Sequence, residues 1–285
     1  MSHNVALVTD STAMLSPEIM AERDITAVPL MVVVDSASYD EGRGEITAEV
    51  VADVLRTGRT ISTSRPTPGL FLEAYEASKA RGAREVLSIH LSGEMSGTYD
   101  SARLAARSAP LPVRVVDTRQ LGMATGYAVL TAADVLDAGG TAEEAAGAAL
   151  ARAGATTSLF YVDTLEHLRR GGRIGAAAAL LCSALAVKPL LEIVDGRVAT
   201  KEKVRTSARA LNRLEELAVT AAGEDKIDLT VAHLGNRDGA RLLAARLAER
   251  LGSQLAGRDV TVGEVGAVIG AHVGPGMVAV VVAPH

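Results

Sequence analysis

Short apolar runs alternate with amphipathic stretches along the first 160 residues. Val5-Ala6-Leu7-Val8-Thr9 is apolar enough for a strand buried on both faces, and it ends at the polar step Asp10-Ser11-Thr12. Ser16-Pro17-Glu18 supplies an N-cap, a proline for the first helical turn and an early acid, so a helix starts there. Ile25 to Val34 reads as a second strand, followed by a polar loop from Asp35 to Glu45 and a helix capped by Thr47 that runs to about Leu55. The pattern repeats: Thr67-Pro68 opens a helix to about Arg81, Gly82 stops it, and Glu85 to His90 is a strand. Ser96-Gly97-Thr98 opens another helix, Val113 to Asp117 is a strand, and two helices follow, Gly122 to Ala138 and one begun by the capping box Thr141-Ala142-Glu143-Glu144. Strands alternating with helices predict a mostly parallel sheet whose polar loops gather at the strand C-terminal ends, where open α/β sheets bind ligands.

The pattern changes after about Thr156. Val187 to Val194 and Arg197 to Val204 flank Asp195-Gly196, a hairpin signature. A helix from Thr206 to Ala222, a strand from Ile227 to His233, a helix from Arg237 to Leu251 and strands Val260 to Val265 and Met277 to Ala283 complete an α+β unit with antiparallel pairing. The expected architecture is α/β with two domains: a mostly parallel N-terminal unit over 1–160 and a mixed or antiparallel C-terminal unit over 161–285. The Ala-rich tract from Ala145 to Ala155 is explained by helix propensity, and no internal repeat or low-complexity linker is evident.

Composition narrows the function classes. A chain of 285 residues, 48% of them hydrophobic, has the material for one large or two ordinary cores. A net charge of -5 argues against sequence-independent binding to nucleic acid or anionic membranes, and two Phe with no Trp offer little surface for base stacking. The single cysteine, Cys182, excludes an intrachain disulfide and reads as a buried structural thiol in the apolar run Ala176 to Val187. No signal peptide is evident, the longest apolar runs are too short to span a bilayer, and the expected location is the cytoplasm without stable membrane insertion.

Candidate chemistry lies in the loops. Thr9-Asp10-Ser11-Thr12, Ser62-Thr63-Ser64-Arg65-Pro66-Thr67-Pro68 and Ser92-Gly93-Glu94-Met95-Ser96-Gly97-Thr98-Tyr99 are rich in hydroxyls and adjoin helix starts, which suits a carboxylate or phosphate. The same residues also serve as N-caps; Thr67 and Ser96 fit that role best, leaving Thr63 and Ser92 as the better ligand candidates. Near the C-terminus, His272 sits among three glycines in Ile269-Gly270-Ala271-His272-Val273-Gly274-Pro275-Gly276, a run that reads equally as a ligand loop or as a tight turn between strands. Two basic clusters, Leu165 to Ile174 with Arg169, Arg170 and Arg173, and Lys201 to Thr206 with Arg205, are either solvated surface or a phosphate-handling and docking face. His167 reads as a helix C-terminal histidine favoured by the dipole. No phosphate-loop, dinucleotide, zinc or nucleophile-elbow motif is present, so the chain reads as an anion binder with no metal.

Taken in order, Thr9-Asp10-Ser11-Thr12, Thr63-Ser64-Arg65-Pro66, Leu91-Ser92 with Met95 to Tyr99, Leu168 to Ile174, Lys188-Pro189-Leu190-Leu191, Lys203 to Thr206 and Gly270 to Gly276 resemble the DegV family over essentially the whole chain. The resemblance implies two α/β domains with a fatty acid between them. It also implies a role as the fatty-acid-binding subunit of a bacterial fatty acid kinase, whose separate ATP-binding subunit phosphorylates the carboxylate to an acyl phosphate. By that resemblance Thr63 and Ser92, with Gly93 and Ser96 in the same loop, hold the fatty acid head group, His272 stands beside it, and Arg173 and Arg205 serve kinase interaction or phosphoryl transfer. The bound fatty acid is then the ligand, and no cofactor is implied. Two departures stand out: Arg65 where the family often has Gln, and Gly93 where a second Ser is common. The Ala/Leu-rich tract Ala176 to Ala186 is a candidate tunnel lining or an ordinary core helix. The competing readings are a hydrolase or transferase with His272 as general base, and a ligand-responsive regulator, the latter disfavoured by the acidic charge.

Overall fold

The computed structural model describes residues 4–44, 46–182 and 188–285. The first half forms β1 (Val5–Asp10), β2 (Ile25–Val28), β3 (Met31–Val34), β4 (Ala37–Asp40), β5 (Ile61–Ser64), β6 (Glu85–His90) and β7 (Val113–Asp117). Four of these make an all-parallel sheet in the order β2-β1-β6-β7. The strand expected over Ile25 to Val34 is two strands in two sheets. Pro29 has no amide to give to a ladder, so the chain leaves the parallel sheet there and Met31–Val34 pairs antiparallel with β4 and β5. The polar loop expected after Val34 contains β4, because Asp35 and Ser36 both take positive φ and close a two-residue hairpin.

The second half forms β8 (Thr157–Tyr161), β9 (Lys188–Val194), β10 (Arg197–Val204), β11 (Ile227–His233), β12 (Thr261–Glu264) and β13 (Val278–Pro284). They make one mixed sheet in the order β10-β9-β8-β13-β11-β12, antiparallel except for β11 with β12. This second sheet begins at Thr157, a few residues before the expected change at 160. The β9–β10 turn has Asp195 at φ 51 and Gly196 at φ 79, the geometry that an Asp-Gly pair accommodates.

The layers follow from which faces are apolar. Phe71 and Tyr75 of helix Pro68–Ala80, with Ala102 and Ala105 of helix Thr98–Ala106, cover one face of the parallel sheet. The Ala-rich helices Met123–Asp137 and Ala142–Ala155 cover its other face at Leu7, Leu87, Ile89 and Val116. The back of the first of them meets Val281 and Ala283 of β13, so it is buried on two sides, which its small side chains permit. Tyr127 bonds Thr230 across this contact at 2.7 Å, and Arg152 reaches Asp228 and the Pro284 carbonyl. Helices Ser207–Ala222 and Arg237–Arg250 close the far face of the mixed sheet.

The glycine run around His272 is a helix up to Val273 and a turn at Pro275-Gly276. Ala267–Val273 is a helix, and His272 stands in its last turn before Gly274, which takes φ 75. Ala267, Val268 and Ala271 pack against Leu30, Val32, Val51 and Val54, so a helix of the second half is seated on the small three-stranded sheet of the first. Among the described residues no helix is long and apolar enough to cross a membrane. The Cys182 side chain and residues 183–187 of the Ala/Leu-rich tract lie outside the described residues; within the tract, Ala177 is buried in the core beside Leu191 and Val198.

Candidate functional site

A cavity of about 330 Å³ opens where the two halves meet. Its floor is β13, where Val278, Val280 and Val282 face the outer helices while Ala279 and Val281 turn into the cavity, as strand alternation requires. Phe160 on β8, Ile193 and Val198 on the hairpin, and Val268, Ile269 and Val273 on the His272 helix supply further apolar wall. Met14, Met95, Met123 and Met277 complete it; their unbranched side chains can adapt to an irregular apolar occupant. Two other polar residues on the wall are already satisfied: Thr12 donates to Asp10 at 2.6 Å and Ser158 to Gln120 at 3.0 Å.

The remaining polarity is gathered at Thr63, Ser64, Arg65, Ser96, Arg173 and His272. Thr63 comes from β5, in register with Val32, and its Oγ1 lies 2.7 Å from His272 Nε2, a hydrogen bond between the two halves at the cavity wall. His272 Nδ1 is buried without a partner among the described residues. Burial, and then the nearby Arg173 charge, hold the His272 pKa down to about 4, so the imidazole is neutral at pH 7. Gly171 makes this packing possible: a Cβ there would stand 2.1 Å from His272 Nδ1. Arg173 is held by its Nε on the Met95 carbonyl at 3.0 Å and its Nη1 on the Gly171 carbonyl at 2.5 Å. Arg65, the departure from the family pattern, extends over Gly97 at the cavity wall.

Thr63, Arg173 and His272 also face a second cavity of about 460 Å³. Its other lining includes Arg59, Arg170 and His167, so these three residues partition an apolar chamber from a cationic one. His167 is half-buried there. Burial first, and Arg170 second, push its pKa below the ordinary histidine value, so the helix dipole expected to favour its charge is outweighed.

The other candidate residues are placed differently. Ser92 is fully buried outside both cavities and donates to the Gly196 carbonyl at 2.7 Å, which pins the β9–β10 turn to the first half. Gly93 also lies outside them, its amide on Asp117 at 3.2 Å; a Cβ there would come within 2.9 Å of the Asp117 carboxylate. Ser96 lines the apolar cavity but bonds Thr98 Oγ1 at 2.8 Å, and Gly97 rather than Ser96 is the N-cap of the following helix. Thr67 is a pure N-cap, its hydroxyl accepting from Leu70. Arg205 is exposed just beyond β10 and lines neither cavity. Sequence reasoning missed Arg59 and the closely packed Gly171; neither residue type is unusual in its local context, and only the tertiary fold brings them beside His272.

The depressed His272 pKa has a consequence for stability. The unfolded histidine titrates near 6.5 and the folded one near 4, so the folded state loses stability as pH falls through that window, while the full contribution is present above it. Thermal melting of the ligand-free protein from pH 7.5 to 4.5 should show a steeper loss in wild type than in His272→Gln. Parallel curves would mean that His272 is not held neutral by burial.

Comparisons with known proteins concern the whole chain. The sequence model of the DegV family, described as uncharacterised proteins, matches residues 4–285. A DegV domain-containing protein of Streptomyces coelicolor is 53% identical over 282 residues, covering 99% of both chains, and one of Deinococcus radiodurans is 39% identical over 286 residues, again covering 99% of both. Among solved structures, a fatty-acid-binding DegV family protein from Thermus thermophilus is similar with a TM-score of 0.89 and 33% identity, covering 99% of each chain. DegV from Bacillus subtilis, described as a fatty acid binding protein, is similar with a TM-score of 0.88 and 30% identity over 99% of this chain and 100% of that one.

Proposed function

Because the chain belongs to the DegV family, we propose that it holds a long-chain fatty acid and presents the carboxylate to a separate ATP-dependent kinase subunit for conversion to acyl phosphate. The observation that carries this reading is the partition of Thr63, Arg173 and His272 between an apolar cavity and a cationic one. An aliphatic tail suits the first chamber, where each buried methylene contributes roughly 0.8 kcal/mol. A carboxylate buried without partners is costly, and the Thr63 hydroxyl and the His272 imidazole are the groups that offset that cost at the partition. On the far side, Arg59, paired with Asp35, and Arg170, paired with Glu166, are the cations that an incoming phosphoryl donor would meet. In this reading the protein is a non-catalytic cytoplasmic subunit that uses no cofactor, does not bind nucleic acid and does not insert stably into membranes.

A hydrolase or transferase with His272 as general base fits less well. Such a base requires a third group to orient its ring, and His272 Nδ1 has no partner among the described residues. The two arginines supply the test of presentation. Arg173→Ala and Arg205→Ala should retain bound fatty acid yet fail to support acyl-phosphate formation with the cognate kinase, measured as coupled ATP consumption beside extracted lipid. Since Arg173 faces both cavities and Arg205 lies on the open surface, the first should lower kcat and the second should raise the KM for the kinase. Wild-type turnover in both variants would contradict presentation to a kinase through these residues. Acyl phosphate made by the wild-type protein alone from ATP and fatty acid would contradict the non-catalytic role.

A further inference from the structure

The cavity walls from the two halves meet at one buried carboxylate that neither lines the cavity nor faces the head-group end. Glu41, 7% exposed, follows β4, and its Oε1 accepts the Val268 amide at 2.8 Å while its Oε2 accepts the Ser11 hydroxyl at 2.5 Å. The Leu30 amide donates to that same Ser11 oxygen at 3.0 Å, and the Glu41 amide donates to the Leu30 carbonyl at 2.8 Å. Glu41, Ser11 and Leu30 thus form a closed ring of hydrogen bonds within the first half, with Val268 the one member from the second. Leu30 and Val268 are cavity wall, and the helix that Val268 belongs to ends with His272. Gly266 leaves room for the carboxylate, since a Cβ there would lie 2.3 Å from Glu41 Oε1.

On the basis of the fatty-acid-binding reading, we propose that Glu41 is a latch: a positioning residue that keeps the His272 helix seated on the first half, so that breaking its bond to Val268 is a step in ligand exit. Apart from the Thr63–His272 bond at its C-terminal end, the contacts of this helix with the small sheet are apolar and non-directional, so they do not fix its N-terminal turn. The Glu41 carboxylate supplies the directional contact at that N-terminal turn. A bond of this kind to a charged group is worth enough that its loss should speed opening by at least about tenfold.

Two measurements on the full chain test it. In the lipid-free protein, amide hydrogen exchange over residues 266–276 should accelerate at least about tenfold in Glu41→Ala, while helix Ser207–Ala222 keeps its wild-type protection. Glu41→Gln, which preserves an acceptor for Val268, should stay within about threefold of wild type. In the loaded protein, release of a fluorescent long-chain fatty acid should follow the same order across the three proteins. Unchanged exchange over 266–276 in Glu41→Ala, acceleration spread equally over both helices, or Glu41→Gln behaving like Glu41→Ala would each overturn the latch. A wild-type protein that takes up no fatty acid would defeat the lipid reading instead, and the hydrogen-exchange comparison would still decide the latch.

Discussion

Replacing Ala279 with phenylalanine should leave the protein folded and unable to hold a long-chain fatty acid. Ala279 lies on β13 beside Phe160, and strand alternation turns its side chain into the apolar cavity and away from the outer helices. Inserting a large side chain into a packed core typically costs about 1–3 kcal/mol. Here the ring enters a cavity of about 330 Å³, so the strain is relieved and the loss falls on the ligand. Excluding roughly four methylenes at about 0.8 kcal/mol each removes about 3 kcal/mol, or about two decades of affinity. Calorimetric titration of delipidated protein with oleate, set beside thermal melting, measures both effects. Wild-type affinity in Ala279→Phe would place the aliphatic tail elsewhere.

Gly171→Ala should displace the His272 imidazole and weaken fatty acid binding without altering the imidazole covalently. The added Cβ would lie 2.1 Å from His272 Nδ1 and 2.7 Å from its Cε1, so the ring must move and the bond to Thr63 Oγ1 must lengthen or break. Gly171 has φ -73, so backbone strain plays no part and the effect is one of space. In the proposed complex the displaced imidazole also loses its hydrogen bond to the charged carboxylate, worth about 1.5–3 kcal/mol, which is about one to two decades in fatty acid affinity. Gly147→Ala is the matched control, since a Cβ there meets nothing within 4 Å. The ¹⁵N resonances of His272 should shift in Gly171→Ala and not in Gly147→Ala. An unmoved imidazole together with unchanged affinity would contradict the assigned role of the Thr63–His272 pair.

What could be read from the sequence was local. The caps at Ser16, Thr47, Thr67 and Thr141 each accept the backbone amide expected of them, and the Thr141–Glu144 capping box is complete, because a cap needs only neighbours within one turn. The Asp195-Gly196 hairpin was legible for the same reason. The break at Pro29 was also written in the chain, as a residue with no ladder amide, yet the flanking apolar run masked it. Where β3 then goes could not be read, since its partner Thr63 is some thirty residues away. Four glycines and a proline within eleven residues hid the helix Ala267–Val273, whose stability comes from packing on Leu30, Val32 and Val51 and not from propensity.

The site was legible by half. Thr63, Arg173 and His272 stand together as the motifs suggested, but Ser92 spends its hydroxyl on Gly196 and Arg205 stands apart. A serine after a strand carries the same local signature whether it meets a ligand or the turn of a distant hairpin. The partner is decided by tertiary contact, and so is the burial that makes a carboxylate such as Glu41 informative.

The central claim is that a fatty acid occupies the chamber between the two halves with its carboxylate at Thr63 and His272. Mass spectrometry of an organic extract of the purified protein tests it most directly, compared with an identical extract of Ala279→Phe. The expected result is about one long-chain fatty acid per wild-type chain and little in the variant. Wild-type protein that yields no fatty acid, and that takes up none when it is offered, would contradict the account.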